Sequence, residues 1–126
     1  MREAIHEERP SGLPLSAAVR GPGVLYLSGQ VALDPTTGRL IQAEVAAQTE
    51  RTLENIRALL ESAGASMDDV LRVGVFLTSM ESFPAMNAVY ARSFRQPFPA
   101  RTTVAVRELP LGAAVKIEMT VADRRK

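Results

Sequence analysis

Arg101 stands just behind Pro97 and Pro99 in "PFPARTTVAVRELP" (97–110), at the head of what otherwise reads as a buried strand. Proline locks φ, so the segment can fix a cation at the lip of a pocket; the plainer alternative is a solvated strand end. Glu118 lies on the polar side of "AVKIEMTVA" (114–122), a strand whose Val115, Ile117, Met119 and Val121 face the other way. A carboxylate in that position is either free for proton transfer or solvated and paired with Lys116. Asn87 falls within an apolar helical stripe of Phe83, Met86, Tyr90 and Phe94. A buried amide needs hydrogen-bond partners or costs about 1–3 kcal/mol. Asn87 therefore either bonds nearby backbone or serves a site. Thr103 reads equally well as a β-branched strand residue without a role.

Other chemistries are excluded by counting. There is no cysteine, so disulfides, thiolate catalysis and cysteine zinc sites are absent. His6 is the only histidine, which removes Ser-His-Asp and histidine-rich metal arrangements; no metal site is expected. Neither GxGxxG nor GxxxxGK[ST] occurs. The net charge of +1 gives no reason to expect nucleic acid. Only two of the 15 basic residues, Lys116 and Lys126, are lysines; the short Arg124–Lys126 cluster reads as a solvated tail. No apolar run reaches the roughly 20 residues of a membrane span, and the charged start lacks the apolar core of a secretory signal. These features fit a reducing cytoplasm. What remains for catalysis is arginine, carboxylates, hydroxyls, amides and backbone.

These groups must be positioned by a single domain, residues 1–126. Leu15–Val19 and Val24–Ser28 read as strands joined by "RGPG", and "LDPTTGR" (33–39) as a turn-rich loop. From Glu44 to Ala63 apolar residues recur at helical spacing, with Gly64 placed as a cap. Val70–Thr78 alternates as a strand, with Leu71, Val73, Val75 and Leu77 on one face. A second helix follows, with Ser82 as cap and Pro84 in its first turn. Thr102–Glu108 and Ala114–Ala122 complete the order β-β-α-β-α-β-β, an α+β mixed sheet with both helices on one face. The other face, bearing Gly74, Phe76, Ala105 and Ala122, is half apolar and invites a partner subunit.

Three blocks in order, "LYLSGQVALDPTTG" (25–38), "VAAQTERTLENIRALLESAGASMDDVLRVGVFLTSMESFPAMNAVYARSF" (45–94) and "PARTTVAVRELPLGAAVKIEMTVA" (99–122), closely resemble the RidA/YjgF family of reactive intermediate/imine deaminases, also described as the endoribonuclease L-PSP family. The resemblance implies a chorismate-mutase-like fold and a homotrimer with intersubunit pockets. It also implies hydrolysis of enamine/imine intermediates such as 2-aminoacrylate to a 2-keto acid and ammonia, without cofactor. By the same resemblance the substrate-binding arginine is Arg101 and the water-activating glutamate is Glu118. Ser28, Gly29, Asn87 and Thr103 fall on further pocket positions.

An imine of this kind carries a carboxylate beside the reacting carbon, and an arginine fork can grip it through two parallel hydrogen bonds. One segment departs from the family's G-P-Y-S-Q-A: here "LPLSAA" (13–18) puts Leu15 in place of the pocket tyrosine and Ala17 in place of the glutamine. That substitution points either to imines with larger apolar side chains or to a trimer that binds a small carboxylate without catalysis. RNA cleavage, also attributed to some members, would lack both basic charge and stacking aromatics here.

Overall fold

The computed structural model describes residues 2–5 and 12–124; His6, Arg125 and Lys126 lie outside them. Six strands and two helices follow one another as β1 (Glu3–Ile5), β2 (Ala18–Gly21), β3 (Val24–Gln30), α1 (Val45–Ser62), β4 (Val70–Leu77), α2 (Phe83–Ser93), β5 (Ala100–Ala105) and β6 (Val115–Ala122). The sheet order is β1-β2-β3-β6-β4-β5. Every neighbouring pair is antiparallel except β4 and β5, which α2 links as a parallel crossover.

Helical spacing makes α1, which buries Thr49, Thr52, Leu53, Ile56, Leu59 and Leu60 along one side. It ends at Ala63, and Gly64 takes φ +80°, the left-handed conformation that closes a helix without a Cβ clash. Strict alternation makes β6, whose Val115, Ile117, Met119 and Val121 are buried. With Val73, Val75 and Leu77 they form the sheet's half of the core, packed against Leu53, Ile56 and Leu60 of α1 and Met86 of α2.

Several expectations are corrected. The added strand β1 pairs with β2, Glu3 opposite Arg20; three residues are too few to show an alternation. Leu15, Ser16 and Ala17 are not strand residues, because β2 begins only at Ala18. Leu71 does not face the core. The β4–β6 register shifts between Val70 and Arg72, which buries Val70 and leaves Leu71 52% exposed. Ser82 makes no capping hydrogen bond: it is itself in helical conformation, and N2 is Pro84, which has no N–H; Ser79 caps the preceding 3₁₀ turn instead, accepting from the Glu81 amide at 3.1 Å. β5 starts two residues earlier than expected and stops at Ala105, following the length of β4. Ala105 pairs with Leu77 and so belongs to the helix side; Val104, opposite Phe76, takes its place on the helix-free face. Tyr26 and Val104 on that face are 52% and 40% exposed.

The outer edge of the sheet is tied down by charge. The Arg20 guanidinium reaches Glu3 at 3.1 Å, Asp123 at 2.6 Å and the Ala63 carbonyl at 3.2 Å. One half-buried side chain thus joins β1, β2, the end of α1 and the residue after β6. Arg124 pairs with Asp69 at 2.8 Å, so the first tail residue is anchored rather than free.

Candidate functional site

Arg101 is the second residue of β5 and pairs with Val73 of β4, so its side chain leaves the sheet on the helix side. There it meets α2. The guanidinium carbon lies 4.5 Å from the centre of the Tyr90 ring and 5.5 Å from that of Phe83, within the range of cation–π attraction. Tyr90 is itself 4% exposed and stacks at 4.7 Å on Phe94. Arg101 is half-buried and makes no ion pair with any described residue. It is not a solvated strand end. It is a cation held on an aromatic seat, its guanidinium without an ion-pair partner among the described residues.

Asn87 lies between Phe83 and Tyr90 on the same stripe of α2, since positions i, i+4 and i+7 share one helix face. It is half-buried, and its side chain hydrogen-bonds to no described residue. Thr103 is opposite Val75 and so projects to the same side of β5 as Arg101. The Thr103 Oγ1 and Tyr90 Oη are buried without a partner among the described residues. Burial pushes the Tyr90 phenol up to about 12, with Arg101 opposing the shift, so it is neutral at any physiological pH.

Glu118 projects from the other face. It is opposite Gly74, and its side chain lies across that glycine: a Cβ at position 74 would stand 3.0 Å from Glu118 Cγ and 3.1 Å from Oε2. Glycine at 74 is what leaves room for the carboxylate to lie there. Glu118 is exposed and pairs with neither Lys116 nor any other described cation. Lys116 lies instead over Gly29, where a Cβ would clash with its Cε and Cδ. Leu27 pairs with Met119 and Gln30 with Ile117, so Ser28 and Gly29 together face Glu118. This is a bulge, a device that recurs beside active sites. Ser28 also anchors the preceding loop: its hydroxyl donates to the Ser16 carbonyl at 2.7 Å and its amide to the Ala17 carbonyl at 2.9 Å. Leu15, 56% exposed, is thereby held over a cleft of about 410 Å³, with Ser16, Val19, Tyr26 and Ser28 among its walls.

The expected site residues therefore fall into two groups. Arg101, Thr103 and Asn87 gather on the helix side at the β5 edge; Glu118, Ser28, Gly29 and Leu15 gather on the helix-free face. A strand's alternation sends 101 and 118 to opposite faces, and one chain does not bring them together. The aromatic seat is what the sequence reading missed. Phe83 and Tyr90 were legible there only as members of an apolar stripe, and the signal was their position on either side of Asn87.

Comparison with known proteins bears on the whole chain. The family model described as "Endoribonuclease L-PSP" matches residues 6–123. A RutC family protein of Pyrococcus horikoshii is 41% identical over 121 residues, 94% of this chain and 95% of the relative. A 2-iminobutanoate/2-iminopropanoate deaminase of Dermatophagoides farinae is 39% identical, covering 86% of this chain and 84% of its own length. Among solved structures, the Rid-family protein YyfA of Yersinia pestis superposes with a TM-score of 0.90 at 37% identity, over 97% of this chain and 99% of that one. RidA of an Antarctic Psychrobacter gives 0.85 at 36%, over 94% and 93%. Strand order, helix placement and sequence agree, and the chain belongs to the RidA/YjgF family.

Proposed function

We propose that this protein hydrolyses reactive enamine/imine intermediates of 2-amino acids to 2-keto acids and ammonia, in sites formed between the subunits of a homotrimer. The observation that carries this reading is Arg101: a half-buried guanidinium, fixed over Tyr90 and left without a carboxylate partner among the described residues. Such a cation suits a small carboxylate. With the carboxylate gripped, the C=N carbon is presented to water. Glu118 of a neighbouring copy takes a proton from that water as its oxygen bonds to the carbon. That proton passes to nitrogen, giving the carbinolamine; transfer of the carbinol hydroxyl proton to nitrogen, again through Glu118, then lets the C–N bond break, releasing ammonia and leaving the keto group. General acid–base catalysis contributes about 10²–10⁴-fold, and none of these steps calls for a cofactor. Ser28, Gly29, Thr103 and Asn87 line the substrate's surroundings. The deaminase from D. farinae supports the reading by name. For the ribonuclease activity that the family description names, a net charge of +1 gives no support.

The test is a coupled assay. An amino-acid oxidase generates the imine, semicarbazide traps it, and the protein is expected to lower semicarbazone yield in a dose-dependent way. No change in yield leaves the second reading, a trimer that binds a small carboxylate without catalysis; the apolar Leu15 at the cleft favours that reading.

Two variants probe the geometry. Gly74→Ala places a methyl against Glu118 Cγ and Oε2, and the flexible side chain gives way. Melting is expected to move by no more than about 3 °C, whereas kcat falls about tenfold because a catalytic group is displaced. Leu15→Tyr addresses specificity. Each buried methylene is worth about 0.8 kcal/mol, so the wild type is expected to prefer imines of leucine or methionine over 2-aminoacrylate. The tyrosine is expected to shift the ratio of kcat/KM values about tenfold towards the small substrate. An unchanged ratio would remove Leu15 from the pocket.

A further inference from the structure

We propose that Tyr90 is a positioning residue for the Arg101 clamp: the face of its ring, not its hydroxyl, holds the guanidinium where it can grip the substrate's carboxylate. This rests on the proposed function above and deepens it. Arg101 lies on β5, the last strand at the sheet's open edge, and a long cationic side chain there has many rotamers to choose from. What restricts it is α2. The guanidinium carbon sits 4.5 Å above the Tyr90 ring and 5.5 Å from Phe83, and no carboxylate among the described residues competes for it. Tyr90 can serve as a fixed reference because it is 4% exposed and wedged against Phe94. An aromatic face is also the one kind of partner that attracts a guanidinium without using its N–H donors. A carboxylate seat would neutralise the clamp and occupy its fork; a ring leaves both available. The hydroxyl has no such part. It is buried and bonded to no described group.

The experiment separates the ring's electronics from its packing. Tyr90→Phe, and the same position filled by mono- to pentafluorinated phenylalanines, keep shape while progressively draining the ring's negative face. Binding of 2-oxobutanoate is measured by calorimetry in the wild-type and Arg101→Met backgrounds, alongside KM and kcat for the imine. Tyr90→Phe is expected to bind within twofold of wild type. Affinity is expected to fall stepwise with fluorination, to about tenfold at the pentafluoro ring, with the loss in KM rather than kcat. In the Arg101→Met background the series is expected to be flat. A flat series in the wild-type background overturns the proposal, as does an equal loss in both backgrounds, which would mark a packing role. Unchanged binding in Arg101→Met alone overturns it too, since there would be no clamp to position. If the wild type binds 2-oxobutanoate with the expected series but deaminates nothing, the enzymatic reading fails and the positioning role stands.

Discussion

Arg101→Lys is expected to lose about 10²-fold in kcat/KM while melting within about 2 °C of the wild type. Lysine keeps the positive charge but offers one compact ammonium where arginine offers a planar fork, so the two parallel bonds to a carboxylate cannot both form. A hydrogen bond to a charged group is worth roughly 1.5–3 kcal/mol. Losing one and misdirecting the carbon under attack gives the stated loss. Stability is spared because Arg101 makes no ion pair among the described residues, only contacts with two rings that an ammonium can also make. Steady-state kinetics and a thermal melt on the same preparation decide it. Wild-type kcat/KM in the lysine variant would remove the carboxylate clamp.

Glu118→Gln is expected to lower kcat by about 10²–10⁴-fold with KM nearly unchanged, since glutamine keeps the shape and removes the base. Mixing makes the sharper test. Arg101 and Glu118 leave opposite faces of one sheet, so a site containing both draws them from different copies across a head-to-tail interface. Arg101→Lys and Glu118→Gln proteins, each nearly inactive, are unfolded together in equal amounts and refolded. Random assembly leaves one site in four with both native groups, so about a quarter of wild-type activity is expected to return. No recovery in trimers shown by light scattering to be mixed would sink the intersubunit site, and a monomer by light scattering would sink the assembly.

How much of this was legible in the sequence varied with what each signal measures. Periodicity reports which residues a side of an element buries, and it placed α1 and β6 to within a residue or two. It is blind to a bulge, which is why Leu71 was put in the core and why Ser28 and Gly29 were not seen to share one partner. It also cannot see an edge: β1 exists because β2 offers it a ladder, not because Glu3–Ile5 alternates. The RidA resemblance named Arg101 and Glu118, yet assigning them opposite faces requires the register of β5 against β4 and of β6 against β4. Tyr90 was hidden for another reason. A buried aromatic reads as core until the side chain on the neighbouring strand is known to be a cation.

The last of the strands in chain order, β6, does not add to an edge. It lies between β3 and β4 and, among the described residues, is the one strand that joins them in the sheet. Before β6 pairs, the β2–β3 hairpin and the β4–α2–β5 crossover can each form, but they remain two fragments with two open ladders. The sheet closes only when residues 115–122 are inserted. Until then the chain displays the exposed strand edges that invite aggregation. Closure must also wait for partners from opposite ends of the chain, Leu25 and Val121 among them, which makes it slow. A chain truncated before residue 115 would therefore hold a sheet split down its middle rather than one missing a border, and it is expected to engage chaperones more than the full chain does.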